Sequence, residues 1–137
     1  MTAYLDTSVM VKLLVAEPDS EDASSRVLAA EALATSVITI AKVGSAVGRK
    51  EREGGLSPAQ ADEALDRFAR ILPGIALSSV DRQLTEHAGR LAREYGLRGY
   101  DAMHLASALR LANVIPRVQF LTADQTLRAA AAVADIG

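Results

Sequence analysis

The stretch from Tyr100 to Leu109 constrains the fold more than any other part of the sequence. It follows Tyr95-Gly96, where the glycine is typical of a helix end, and its own residues predict a new helix. That helix is apolar on nearly every side, which predicts that it is buried. Asp101 falls in its first turn, where free N–H groups favour a carboxylate. Asp101 is therefore either a helix cap or a ligand in a functional site, and this stretch alone supports both interpretations.

The composition of the chain limits the kinds of catalytic and metal site that it can form. The chain has 137 residues, half of them hydrophobic, which is enough for one domain with a sizeable core. It has no cysteine, which excludes disulfides, zinc–thiolate sites and thiol nucleophiles. Since it has only two histidines, we expect any metal to be held by oxygen ligands, which favours Mg²⁺ or Mn²⁺.

The distribution of charge and apolar residues bears on location and partners. No apolar run approaches the length of a membrane span, and the N-terminus lacks the features of a secretory signal, so we expect a cytoplasmic protein without membrane association. The formal net charge of -2 gives no global attraction to nucleic acid. Any binding of RNA would have to be local, and Arg98 is the preferred candidate for a phosphate contact. The basic residues within 49–53 are an alternative, although a solvated charged face explains them equally well.

Short apolar runs alternate with helical segments along the chain. Strands are predicted at 3–5, 34–36, 75–77 and 118–121, and the helices between them at 8–15, 20–33, 38–53, 58–72, 81–95, from 100 onward and at 125–132. This alternation favours a parallel α/β sheet in a single domain spanning residues 1–137. The pair 38–53 and 58–72 is strongly charged, and it predicts a helical hairpin that packs on the main body.

Three aspartates are expected to meet at one edge of this sheet. Asp6 and Asp124 each directly follow a predicted strand, and Asp101 begins the buried helix. Carboxylates at such range raise one another's pKa unless a cation intervenes, and a hard divalent ion is the usual solution. The alternative is structural, because Asp6 and Asp124 also precede helices and each could be a plain N-cap.

Several polar residues lie close to these acids in sequence. Thr7, Ser8 and Thr122 could hold the carboxylates in place through their hydroxyl groups, or could themselves be helix caps. His104 follows Asp101 by three residues on an apolar helix, and we interpret it as a hydrogen-bonded core residue.

Three segments of the chain resemble a known family. Tyr4-Leu5-Asp6-Thr7-Ser8, then 96–106 (Gly-Leu-Arg-Gly-Tyr-Asp-Ala-Met-His-Leu-Ala), and then Phe120-Leu121-Thr122-Ala123-Asp124 resemble the PIN domain. More closely, they resemble the VapC toxins of bacterial VapBC toxin–antitoxin systems. The resemblance implies a PIN-like three-layer α/β/α fold with a short parallel sheet of four or five strands and a helical hairpin clip.

The resemblance also implies a function. It implies an endoribonuclease dependent on Mg²⁺ or Mn²⁺ that cleaves tRNA or rRNA and so inhibits translation. It further implies inhibition by a VapB-type antitoxin and a homodimeric toxin. Carried over by position, Asp6, Asp101 and Asp124 would be the catalytic metal-binding acids, and Thr122 would orient them.

One position departs from the family pattern. In Thr39-Ile40-Ala41-Lys42-Val43, Lys42 stands where family members normally carry a glutamate. We expect Lys42 to pair with Asp6 or Asp101, weakening metal binding and impairing cleavage. The alternative is a solvated surface lysine on a helix turned away from the site.

Two rival functions remain at this point. A phosphoacceptor domain also places an aspartate after its first strand, but the dehalogenase type needs a second aspartate where Ser8 stands. The response-regulator type needs a lysine late in the chain, whereas the last lysine here is Lys50. The stronger rival is a toxin-fold protein that is catalytically disabled and still binds its antitoxin.

Overall fold

A computed structural model describes all residues of the chain, 1–137, as four strands and seven helices. The strands are β1 (Thr2–Leu5), β2 (Ala32–Ser36), β3 (Ala76–Ser78) and β4 (Val118–Leu121). The helices are α1 (Thr7–Leu14), α2 (Ser20–Leu28), α3 (Ile38–Arg52), α4 (Pro58–Ile71), α5 (Arg82–Tyr95), α6 (Gly99–Ala112) and α7 (Gln125–Val133), with a short 3₁₀ turn at Leu72–Gly74.

The four strands form one parallel sheet in the order β3-β2-β1-β4. β1 is a central strand, and its residues 3–5 are completely buried. A strand buried on both faces reads as a continuous apolar run, which is how this segment appears in the sequence. The predicted parallel sheet is confirmed, with four strands.

Helices cover both faces of the sheet, as predicted for a three-layer fold. Successive side chains of a strand point to opposite faces, and β1 follows this rule. Tyr4 packs into a cluster formed with α5, α6 and α7, whereas Ala3 and Leu5 pack into a cluster formed with α1, α3 and α4. The protein therefore has two apolar cores, one on each side of the sheet.

The buried helix predicted around Asp101 is α6. Its residues Ala102, Leu105, Ala106 and Ala108 are fully buried, and it packs on α5 and on the sheet. Small residues allow this close approach to the neighbouring layer. The helix begins three residues after Gly96, whose φ of 67° ends α5 in the left-handed region that glycine adopts without strain.

α3 and α4 form the predicted hairpin, and together with α1 they cover one face of the sheet. α4 begins with the predicted cap and first-turn proline, Ser57 and Pro58. The Ser57 side chain accepts a hydrogen bond from the Gln60 backbone N–H, and the Gln60 side chain accepts one from the Ser57 backbone N–H. No helix of the protein combines the length and the apolar character that crossing a bilayer requires.

The second helix is shorter than predicted. The sequence indicated a helix to about residue 33, but α2 ends at Leu28 and β2 begins at Ala32. The reason is tertiary, because Ala32 and Leu33 pair with Thr2 and Ala3 of β1. Strand pairing thus overrides the helical preference of a stretch rich in alanine and leucine.

Candidate active site

The three predicted acids line one cavity at the carboxyl edge of the sheet. β1 and β4 pair with Leu5 opposite Leu121, so the residues that follow these strands, Asp6 and Thr122, lie side by side. The cavity has a volume of about 350 Å³, and its charged lining residues are Lys12, Glu17, Lys42, Arg98 and the three aspartates Asp6, Asp101 and Asp124. The structure thus brings together acids that are far apart in the sequence.

Asp6 is a buried carboxylate with every oxygen engaged. One oxygen accepts from the Ser8 hydroxyl at 2.6 Å and from the Val9 backbone N–H at 3.0 Å, which makes Asp6 the N-cap of α1. The other accepts from the Thr122 hydroxyl at 2.5 Å. Burial raises the pKa of Asp6, and these hydrogen bonds oppose the rise. We call Asp6, Ser8 and Thr122 the floor of the cavity.

Hydrogen bonds to the floor also hold the backbone at Asp124, the third aspartate of the cavity. The Thr122 hydroxyl accepts from the Asp124 backbone N–H at 3.0 Å, and the Ser8 hydroxyl accepts from the Ala123 N–H at 3.0 Å. Asp124 is exposed, and its side chain caps α7 by accepting from the Leu127 N–H at 2.8 Å. Asp6 and Asp124 are therefore both helix caps and cavity-lining acids, so the two interpretations of these residues coexist.

Asp101 lines the same cavity from the start of α6 and is held differently. It is half-buried in the first turn of α6, whose N-cap is Arg98. Burial raises the pKa of Asp101, and the negative charge of Asp124 raises it further, whereas Lys42 and Arg98 lower it. No hydrogen bond contributes to this balance, so burial and the neighbouring charges together set the pKa of Asp101. We call Lys42, Arg98, Tyr100 and Asp101 the rim.

Lys42 lies in the cavity, as the departure from the family pattern predicted, and the alternative of a helix turned away is wrong. The predicted contact is also wrong, because Lys42 forms no ion pair within 4.0 Å of Asp6 or Asp101. Its ammonium nitrogen instead lies 4.7 Å from the centroid of the Tyr100 ring. A cation over an aromatic face is attracted by the ring quadrupole, which gives Lys42 a partner other than the carboxylates.

The donor set fits a partly hydrated divalent ion. Carboxylate oxygens are the ligands that Mg²⁺ prefers, and Mg²⁺ usually keeps several waters and binds one or two carboxylates. No three acidic or histidine side chains form a group compact enough to enclose an ion. The cavity therefore suits an ion held by one or two aspartates with water, and it does not form an all-protein cage.

His104 is a core residue, as predicted. It is 1% exposed, and its ring bonds the Tyr4 hydroxyl at 2.9 Å and the Thr7 hydroxyl at 3.1 Å. Burial and the nearby Lys42 lower the pKa of His104 to about 4, so the ring is neutral at neutral pH. This network ties α6 to β1 and to the first residue of α1 beside Asp6.

Sequence reasoning missed two cavity residues and one rim residue. Glu17 and Lys12 line the cavity, and Glu17 also binds Lys50 at 2.8 Å. Lys50 is thus engaged in an ion pair and is not free for RNA. From the sequence, Tyr100 was considered only as part of the family motif. Its exposure of 57% could not be predicted from the largely apolar pattern of its helix.

Comparisons with known proteins identify the family of the chain. Residues 3–133 match the PIN domain family. The chain is 36% identical over 128 residues to the ribonuclease VapC46 of Mycobacterium tuberculosis, which covers 93% of this chain and 88% of that protein. It is 33% identical over 106 residues to the ribonuclease VapC49 of the same species, covering 77% and 74% of the two chains.

Solved structures share the fold. The crystal structure of M. tuberculosis VapC20, described as a sarcin-ricin loop cleaving toxin, matches with a TM-score of 0.65 at 17% identity, covering 93% of this chain and 94% of that one. VapBC2 from Rickettsia felis, solved with a DNA fragment from its promoter, matches with a TM-score of 0.63 at 16% identity, covering 95% and 93%. With a family match over nearly its whole length, the chain belongs to the PIN domain family and, within it, to the VapC ribonucleases.

Proposed function

We propose that the protein is the toxin of a type II toxin–antitoxin system, a metal-dependent endoribonuclease that cleaves tRNA or rRNA in the cytoplasm and inhibits translation. The observation that carries this proposal is that Asp6, Asp101 and Asp124 line one cavity at the carboxyl edge of the sheet. Ligands of parallel α/β sheets bind at this edge. Membership of the VapC ribonucleases supports the reaction class.

The three acids have separate tasks in this proposal. Asp6 would present a carboxylate oxygen that Thr122 holds in one orientation, since a hydrogen-bonded ligand keeps its geometry. Asp101 at the start of α6 and Asp124 after β4 would supply the remaining carboxylates, directly or through water bound to the ion. Mg²⁺ or Mn²⁺ bound there would polarise a phosphodiester oxygen and activate water at neutral pH.

The position of Lys42 supports a reduced ribonuclease activity. It places a positive charge in the cavity and lowers the pKa of Asp101, which means that it stabilises the ionised carboxylate without any metal. Lys42 lies farther than 4.0 Å from the carboxylates of Asp6 and Asp101, so each interaction is weaker than the roughly 1 to 4 kcal/mol of two unit charges about 4 Å apart, but its positive charge still opposes a cation in the same cavity. We propose that Lys42 lowers metal affinity and impairs cleavage.

The same observation favours a second candidate function. If Lys42 prevents metal binding altogether, the protein would be a catalytically disabled toxin-fold protein that still binds its antitoxin. The two candidates share fold and partner and differ only in metal binding and cleavage.

The deciding experiment compares this chain with its Lys42→Glu variant. We expect Mn²⁺ titrations followed by calorimetry to give tighter binding in the variant, and total RNA at saturating concentration to be cleaved faster by it in Mg²⁺. Arg93→Glu in the last turn of α5 is the matched control, because it makes the same change of charge on an exposed residue outside the cavity. Equal metal affinity and cleavage in the chain and its Lys42→Glu variant would refute the role of Lys42.

Cleavage separates the two candidates further. RNA cut by this chain in Mg²⁺ and left intact in EDTA supports the enzyme. RNA left intact by this chain but cut by Lys42→Glu supports the disabled protein. RNA left intact by both would refute the ribonuclease proposal.

For partners, we propose a VapB-type antitoxin and a homodimeric toxin. Toxin–antitoxin complexes of Klebsiella pneumoniae and R. felis are among the structures that share this fold, which supports an antitoxin partner. Co-expression with the antitoxin and size-exclusion chromatography with light scattering would test the partner and the dimer together.

A further inference from the structure

A second cavity opens beside the acids. It has a volume of about 490 Å³ and shares Lys42, Arg98 and Asp101 with the first cavity. Its remaining lining residues are Gly99, Tyr100 and Met103. Because the two cavities meet at shared side chains, a chain-like ligand held at the acids can continue into the second one.

Tyr100 is the exposed aromatic of this second cavity. The residue is 57% exposed, whereas Tyr4, Phe68 and Phe120 are buried in the two cores. α6 needs no contribution from Tyr100 to stay in place, since residues 102 and 104–108 anchor it. A single exposed ring is common on a protein surface, but this ring lines a cavity that shares three side chains with the acidic one, and that position points to a ligand.

Positive charges lie beside this ring. The Lys42 ammonium lies over it at 4.7 Å from the centroid and covers one face. Arg98 is exposed, lines both cavities, and has no carboxylate within ion-pair distance, although its charge lowers the pKa of Asp101. An aromatic surface interleaved with cationic side chains is the chemistry that binds single-stranded nucleic acid, in which bases stack on the rings and phosphates meet the cations.

We propose that the second cavity binds one unpaired base of an RNA strand, stacked on Tyr100, with Lys42 and Arg98 contacting the phosphates on either side of it. This inference rests on the proposed function and adds to it a base-contacting residue, Tyr100, next to the acids. In a duplex both faces of each base are already stacked on neighbours, so a paired strand cannot use Tyr100.

The test measures binding without cleavage. A short fluorescein-labelled RNA of mixed, unstructured sequence is titrated with the protein in EDTA and followed by fluorescence anisotropy, alongside the same strand annealed to its complement. We expect the Tyr100→Ala variant to bind the single strand about five- to 150-fold more weakly, the range that one stacked base contributes. Its affinity for the duplex should be unchanged.

Variants separate stacking from charge. Tyr100→Phe keeps the ring and should keep the single-strand affinity. Lys42→Met and Arg98→Ala should each weaken binding and reduce its salt dependence, because each removes one phosphate contact. Arg93→Ala, an exposed arginine in the last turn of α5, is the control and should bind as the unmodified protein does.

A base analogue gives an independent readout. The same strand carrying 2-aminopurine should lose fluorescence on binding to the protein and to Tyr100→Phe, and should keep it with Tyr100→Ala. A merely structural role of Tyr100 would leave the quenching in place whenever the RNA binds.

The outcomes distinguish this inference from the proposed function. If Tyr100→Ala binds the single strand as well as the unmodified protein while RNA is cleaved in Mg²⁺, the base site is wrong and the ribonuclease stands. If quenching depends on Tyr100 but neither the chain nor Lys42→Glu cleaves RNA, the base site stands and the ribonuclease is wrong. If Tyr100→Ala weakens antitoxin binding and leaves RNA binding intact, the surface serves the protein partner and the inference is overturned.

Discussion

The floor and the rim of the cavity each contain one aspartate, but the two aspartates are held in different ways. In the floor, Asp6 and Thr122 are buried, and each Asp6 oxygen accepts a hydrogen bond from a group of the fold. At the rim, Asp101 is half-buried and responds to the charges of Lys42, Arg98 and Asp124 without hydrogen bonds. The floor is therefore part of the structure, whereas the rim is a surface whose charge can change without affecting the fold.

The contrast between floor and rim is tested most directly by replacing the aspartate of each, Asp6 in the floor and Asp101 at the rim. Asp6→Ala loses the cap of α1 and leaves the Ser8 and Thr122 hydroxyls without their acceptor, so we expect the free energy of unfolding to fall by about 2 to 4 kcal/mol. Asp101→Ala removes no hydrogen bond and should change it by less than about 0.5 kcal/mol. Urea denaturation of both variants measures the difference, and equal losses would contradict the division into floor and rim.

The second prediction concerns pH and the network behind the floor. Because the pKa of His104 is lowered from 6.5 to about 4, the unfolded chain binds the extra proton first, and stability should fall as the pH falls from 6.5 towards 4. At about 1.4 kcal/mol per pKa unit, the loss from this one group is about 3 kcal/mol.

Urea denaturation at pH 7 and at pH 4 checks this loss, with His104→Gln as the comparison because it cannot titrate in this range. The raised pKa of Asp6 acts in the opposite direction, since protonation of a buried carboxyl favours the folded state. The informative quantity is therefore the difference between the two proteins. If both lose the same stability between these pH values, the network does not hold His104 neutral.

The third prediction sharpens the role of the floor in metal binding. Thr122→Val removes the hydroxyl that donates to Asp6 and accepts from the Asp124 N–H. We expect a loss of about 1 to 3 kcal/mol in the free energy of unfolding and of about ten- to 100-fold in Mn²⁺ affinity. Thr122→Ser keeps the hydroxyl and should recover the metal affinity, as calorimetry would show.

The smallest expected effect is at the rim. Lys42→Met keeps the alkyl stem and removes the charge, so the free energy of unfolding should change by less than about 0.5 kcal/mol. The pKa of Asp101 should rise, because Lys42 lowers it in the unmodified protein. A carbon-13 NMR titration of the Asp101 carboxyl measures this directly. An unchanged pKa would show that Lys42 is too distant or too screened to act on Asp101.

The sequence by itself determined the architecture and the gathering of the acids. Alternating apolar runs and helices are enough to predict a parallel sheet, and the edge where parallel strands end dictates that Asp6 and Asp124 meet. The dense apolar pattern around Ala102 and Leu105 likewise predicts a buried helix. These features depend on local periodicity and on sheet topology, which the order of residues along the chain expresses directly.

Only the tertiary structure decided where side chains from separate elements finally point. α2 ends at Leu28 because Ala32 and Leu33 pair with β1 in the sheet. Lys42 lies over Tyr100 and forms no ion pair with the acids, because α3 and the start of α6 place that ring within its reach. Such contacts join residues far apart along the chain, and they depend on distances of a few ångströms that no pattern of neighbouring residues encodes.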